Sequence, residues 1–116
     1  LAQGAAEGKY SATPYTLTNM DARVQDFAKR YRAKYNRDPE LFSVLYYDAV
    51  MMVAEAVKIG KSDTPLAVRD NLRKLNAFPG VSGLNYTFNA KGEAVNEIFI
   101  VKIQGGQAKA AFKIQG

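Results

Sequence analysis

The chain has 116 residues, 47% of them hydrophobic and 23% charged, which is an ordinary globular balance and excludes wholesale disorder. Its 16 Lys and Arg outnumber its 11 Asp and Glu, for a formal net charge of +5. Because it has neither Cys nor His, thiol nucleophiles, thiolate or imidazole metal ligands and imidazole acid–base catalysis are all excluded, and any chemistry would rest on carboxylates, Lys, Tyr or Ser.

Leu1 to Gly8 is small and flexible in composition. It shows no Met start, no basic n-region and no apolar h-region, so it reads as the interior of a longer chain. Lys9-Tyr-Ser-Ala-Thr-Pro-Tyr-Thr-Leu17 is expected as a strand running into a connecting loop, since Pro14 pushes Thr13 out of the helical region. Asn19 then caps a helix of about sixteen residues whose apolar stripe is Met20, Val24, Phe27, Tyr31 and Tyr35. Its polar side holds the basic run Lys29, Arg30, Arg32, Lys34 and Arg37. Asp21 and Asp26 interrupt that run, and the aromatics stay on the apolar stripe. A solvated face is therefore preferred to a phosphate-binding one.

Asn36-Arg-Asp-Pro39 breaks this helix and launches a second over Leu41 to Ile59, with Asp38 as N-cap, Pro39 at the first helical position and Gly60 as the left-handed stop. Its only polar residues are Ser43, Asp48, Glu55 and Lys58, so apolar surface runs nearly all the way round it, the mark of a helix buried on several sides. It is long enough to span a bilayer, but each of the three charges would cost about 2.5–3.5 kcal/mol at the bilayer centre, which favours a soluble core. Lys61-Ser-Asp-Thr-Pro-Leu66 repeats the start signal, with Asp63 or Thr64 as cap, for a third helix to about Leu75 with Leu66, Val68, Leu72 and Leu75 as its apolar positions. From Phe78 the period changes. Phe78 to Gly83 is expected as loop, Leu84 to Phe88 as a half-buried strand, Asn89 to Gly92 as a turn, Glu97 to Ile103 as a strand, Gly105-Gly106 as a turn and Ala108 to Ile114 as the last strand.

One strand, three helices and three strands make an odd complete domain. The first strand has no neighbour close in sequence, and the second helix has more apolar surface than the rest of the chain can cover. That surface is expected to be shielded from elsewhere, by the remainder of its own chain or by a second copy in a homodimer or segment-swapped dimer.

Phe27…Tyr31…Tyr35-Asn-Arg-Asp-Pro39, then Tyr47-Asp48-Ala49 opening an apolar helix that ends at Gly60, then Leu72 to Phe78, Gly80…Gly83…Phe88-Asn89…Gly92 and the closing Ile98-Phe-Ile-Val-Lys-Ile strand, form an ordered series with characteristic gaps. The series resembles the C-terminal third of the branched-chain amino-acid type of periplasmic binding protein, from about Glu7 to Gln115. The resemblance implies an α/β chain that is a fragment of the two-lobed type I fold, with three helices plus strands belonging to both lobes. Residues 1–13 would end the second lobe, 14–19 would form a hinge crossing, 20–95 would be part of the first lobe, and 96–116 would return to the second. It implies an extracytoplasmic, non-catalytic component of an ABC importer that binds an amino acid or related small carboxylate between lobes closing as hinged bodies, with the importer's membrane subunits as partners and no cofactor, metal or nucleic acid.

On that resemblance the family's main ligand contacts lie upstream of Leu1. The residues here that would line the cleft are Tyr10 and Tyr15 beside the hinge, Glu7 before the first strand, and Tyr46 early in the central helix. Ring faces and a fixed carboxylate suit an amino-bearing or aromatic ligand. Core packing competes for Tyr46, a solvated turn for Glu7, and anchoring of a neighbouring backbone amide is preferred for Asp48. Asp48 and Glu55 lie seven positions apart, about 10 Å along the helix, too far to share a proton as a catalytic pair. The alternative function is a small basic autonomous domain that binds nucleic acid or an anionic surface.

Overall fold

A computed structural model describes residues 4–115, so the expectations for Leu1 to Gln3 and for Gly116 fall outside the described residues. Along the chain the elements are β1 (Tyr10–Thr13), α1 (Ala22–Tyr35), α2 (Leu41–Gly60), α3 (Pro65–Leu72), β2 (Phe78–Pro79), β3 (Asn85–Phe88), β4 (Ala94–Val95), β5 (Glu97–Gln104) and β6 (Gln107–Gln115). β1 finds its neighbour at the far end of the sequence, pairing antiparallel with β5 so that Tyr10 faces Lys102 and Thr13 faces Phe99. β5 and β6 form a hairpin on Gly105-Gly106, both at positive φ, as a two-residue turn matched to strand twist requires. The sheet order is β1-β5-β6, and β2-β3-β4 forms a second, smaller sheet. Gly4 to Gly8, expected as flexible, is instead a pair of turns pinned to β5 by the Gly8 N–H donating to Ile103 O at 2.9 Å.

Several helix boundaries differ from expectation for local physical reasons. Asp21, not Asn19, caps α1, accepting from Arg23 N at 2.9 Å; Asn19 Oδ1 accepts from Asp21 N, and Met20 stays outside the helix at 83% exposure. Asp38 does not cap α2, because its carboxylate is taken by the Arg32 guanidinium, and the helix opens at Leu41 without a side-chain cap. Gly60 does not stop α2 either. It is the last helical residue, Lys61 takes the left-handed conformation, and a Cβ at Gly60 would collide with Asn71 of α3. The glycine is there so that the two helices can approach closely. The most buried position of α3 is accordingly polar Asn71, whereas Leu66 is exposed.

Two core clusters result. Tyr15, Val24, Phe27 and Val44 pack the crossing segment between β1 and α1 onto α1 and α2. Met52, Leu75, Leu84, Tyr86, Phe99 and Val101 join α2, β3 and one face of β5. Yet α2 buries only Val44, Asp48, Met52 and Ala56, a single stripe at four-residue spacing. The accessible surface of 7816 Å² is well above the roughly 6,300 Å² of a closed domain of this mass. The radius of gyration, 16.1 Å, likewise exceeds the roughly 13 Å of a compact domain of this length. The apolar excess read from the sequence of the central helix thus stands uncovered.

Candidate functional site

Residues 14–19 carry the chain from the sheet to the helices, and side chains brace this crossing on both sides. Thr13 Oγ1 donates to Tyr15 O and accepts from Tyr15 N, turning the chain after Pro14. Toward the sheet, the Thr16 and Thr18 hydroxyls both donate to Ala108 O, and Thr18 Oγ1 accepts from Ala110 N at 3.0 Å. Toward the helices, Gln25 Nε2 donates to Leu17 O at 2.9 Å and Asn19 O at 2.7 Å. Sequence reasoning missed Thr16, Thr18 and Gln25. The available signal was the Thr-x-Thr spacing, which in an extended segment puts both hydroxyls on one side.

A groove of about 420 Å³ opens beside this crossing, lined among others by Tyr15, Thr18, Arg32, Asp38, Leu41 and Gln107. Of the four candidate residues only Tyr15 lines it, with its ring buried and its hydroxyl enclosed without a partner. Tyr10 is exposed on β1, with Lys102 Nζ 5.6 Å from its ring centroid. The Glu7 carboxylate accepts from the N–H groups of Gly105 and Gly106, at 3.0 and 3.4 Å, and so braces the β5–β6 turn. Tyr46 stands 72% exposed in a different groove, of about 450 Å³, between α1 and α2 with Phe27, Tyr31 and Tyr47. The structure therefore does not bring the four together.

The basic run is partly matched within α1 and its exit, where Arg30 pairs with Asp26 and Arg32 with Asp38. Among the described residues, no group of three or more carboxylates could hold a metal ion, and no helix is long and apolar enough to cross a membrane.

Two phenols are strongly perturbed. Burial pushes Tyr15 up to about 12, with the Asp38 carboxylate adding and Arg32 opposing. Burial likewise pushes Tyr86 up to about 12, against the opposing Ser82 hydrogen bond and with Asp48 adding. Both folded values lie above the unfolded phenol's, near 10. The stability they confer is full below pH 10 and is lost as pH climbs toward 12, by about 1.4 kcal/mol per phenol at pH 11. Urea midpoints should be flat across pH 8–9.5 and fall steeply above pH 10; Tyr15→Phe should remove part of that fall.

A family described as Periplasmic binding protein matches residues 1–108. No curated protein matches the chain. Among solved structures, the branched-chain amino acid transporter substrate-binding protein LivJ of Streptococcus pneumoniae, in complex with isoleucine, is 32% identical over 92% of this chain and 30% of its own, with a TM-score of 0.76. An ABC transporter substrate-binding protein of Desulfitobacterium hafniense, in complex with Leu, is 28% identical over 91% of this chain and 32% of its own, at 0.81. The leucine binding protein LivK of Thermotoga maritima shares the fold at 0.83 and 24% identity, over 97% of this chain and 32% of its own. The chain spans about a third of the length of the structures it matches.

Proposed function

Since this chain belongs to the periplasmic binding protein family, we propose that it forms part of the extracytoplasmic solute-binding component of an ABC importer, one that takes an amino acid or related small carboxylate between two lobes. The observation that carries this reading is the likeness to two solved structures holding isoleucine and leucine. On this reading residues 1–13 and 96–116 belong to one lobe, 20–95 to the other, and 14–19 form a crossing. The two-sided bracing of that crossing by Thr16, Thr18 and Gln25 supports the assignment, because a hinge must be anchored in both bodies it connects. Tyr15 is kept as the cleft-lining candidate, because it alone of the four lines the groove beside the crossing. Glu7 is engaged by the hairpin turn, Tyr10 by Lys102, and Tyr46 stands in the other groove. The membrane subunits of the importer are its proposed partners.

One wall of a cleft does not hold a small ligand well, since such sites enclose most of the ligand's surface. Titration calorimetry of the 116-residue chain with leucine or isoleucine should give no saturable heat. A chimera joining the first two thirds of the S. pneumoniae protein to this chain should bind saturably. Tight binding by the isolated chain would overturn the shared-cleft reading, and a folded chimera that binds neither amino acid would overturn the ligand class.

A further inference from the structure

The crossing between the sheet and the helices is held on its two sides by bonds of different kinds. Toward the helices, the Tyr15 ring is buried with Val24, Phe27 and Val44, and Leu17 packs against the same cluster. Gln25 then takes the Leu17 and Asn19 carbonyls, at 2.9 and 2.7 Å. Toward the sheet, among the described residues, the crossing is bonded by two hydroxyls. Asn19 N donates back to Thr16 O, closing a turn that sets the Thr16 and Thr18 hydroxyls 3.0 Å apart. Their partners are Ala108 O and Ala110 N of β6.

Those two groups lie on the edge of β6 that faces away from β5. In the hairpin, Gln104 lies opposite Gln107 as the hydrogen-bonded pair that closes a two-residue turn, so Ala108 and, one alternation on, Ala110 direct their backbone groups outward. β6 is the outer strand, on the far side of β5 from β1, where the crossing begins. The threonine hydroxyls therefore stand where the backbone of a further strand would. Ala108 and Ala110 are exposed, so water can replace the hydroxyls when these bonds part. The buried Tyr15 ring has no such substitute.

We propose that residues 15–19 travel with the helices, and that Thr16 and Thr18 form a clasp that parts from β6 when sheet and helices change their relative orientation. The inference rests on the reading of 1–13 and 96–116 as one body and 20–95 as the other, and it places the joint on the sheet side of Tyr15. The chain leaves β1 at Pro14 and enters β5 at Glu97. A swing about those two points displaces the outer edge of β6 more than it displaces Phe99 and Val101 of β5, which pack in the core with Met52. Both halves of the clasp belong to this chain, so it does not depend on what covers the outer faces.

The chain has no cysteine, so spin labels at Lys58→Cys on α2 and Gln104→Cys on β5, both exposed, report the orientation of the two bodies by pulsed electron paramagnetic resonance. The labelled parent should give one principal distance. Thr18→Val keeps the branched shape and removes the hydroxyl; it should raise a second population about tenfold above its level in the parent, and Thr18→Ser should restore the parent distribution. Gln25→Leu should lower the urea midpoint without raising that population, because Tyr15 and Leu17 still hold the crossing to the helices. Should Thr18→Val misfold by circular dichroism, Ala110→Pro removes the same bond from the edge of β6 and serves in its stead. An unchanged distribution in the variant lacking the bond, or the second population arising from Gln25→Leu, would overturn the clasp. Neither result bears on isoleucine binding by the chimera, so the clasp and the solute-binding reading fail separately.

Discussion

Asp48→Ala is expected to destabilise the chain by about 3–5 kcal/mol, the largest loss of any single substitution considered. Asp48 is 1% exposed on the inner stripe of α2, and its carboxylate accepts from Val81 N at 2.7 Å, Ser82 N at 3.1 Å and Tyr86 Oη at 3.0 Å. Ser82 Oγ lies 3.1 Å from the same phenol and accepts from Leu84 N. One side chain thus satisfies two amides of the loop between β2 and β3, one buried and one part-buried, and a buried hydroxyl, and it stitches that loop to the helix. Truncation leaves the Val81 and Ser82 amides without their acceptor and the Tyr86 hydroxyl with Ser82 Oγ alone, and each orphaned amide costs about 1–3 kcal/mol. Asp48→Asn keeps the volume but turns an amide N–H₂ toward donors, so it should fall between the parent and the alanine variant. Urea unfolding followed by circular dichroism measures the series; an alanine variant within about 1 kcal/mol of the parent would refute the anchoring role.

Gly80→Ala should lower Tm by on the order of 10–15 °C, corresponding to about 3 kcal/mol. The cause is space, not backbone conformation. A Cβ at Gly80 would run into the Asp48 carboxylate and the Tyr86 ring. Neither can retreat, since the carboxylate is held by its three donors and the ring is 6% exposed in the core. The loop itself is already tight, with Gly80 N donating to Leu84 O at 2.9 Å and Gly83 N donating to Gly80 O at 3.2 Å. A thermal scan showing a shift of a degree or two would mean that the loop can slide off the helix at little cost.

Asp48 also shows what could be read from the sequence. A carboxylate set among apolar residues in the middle of the most apolar helix needs partners, so a role for Asp48 in anchoring a backbone amide was legible, although the identity of the amides at Val81 and Ser82 was not. The order of the longer elements, the Asn89–Gly92 turn and the Gly105-Gly106 hairpin follow from period and turn chemistry alone, whereas the two-residue strands β2, inside a stretch expected as loop, and β4 do not. Helix ends were less legible, because tertiary partners outbid local signals. Arg32 draws Asp38 away from the cap position, and Asn71 behind Gly60 makes that glycine a matter of packing. At the candidate site, Tyr15 is picked out by the family resemblance, which puts it beside a hinge crossing. Its burial in the α1–α2 core was not legible, since that depends on Val24, Phe27 and Val44 meeting it from other elements. The over-supply of apolar surface on α2 was legible because a helix with four polar residues in twenty needs neighbours on every side, and three helices with two small sheets do not provide them.

The pairing of β1 with β5 has a consequence for biosynthesis. Of these elements β1 leaves the ribosome first, and the strand it must pair with is among the last to be made, so at roughly 5–20 residues per second it waits on the order of five to twenty seconds for its partner. The helices and the β2–β3 hairpin, whose contacts are local, can condense in the meantime. β1 can then be seated only once β5 has been made, and until it is, one edge of β5 stays open to whatever strand happens to be nearby.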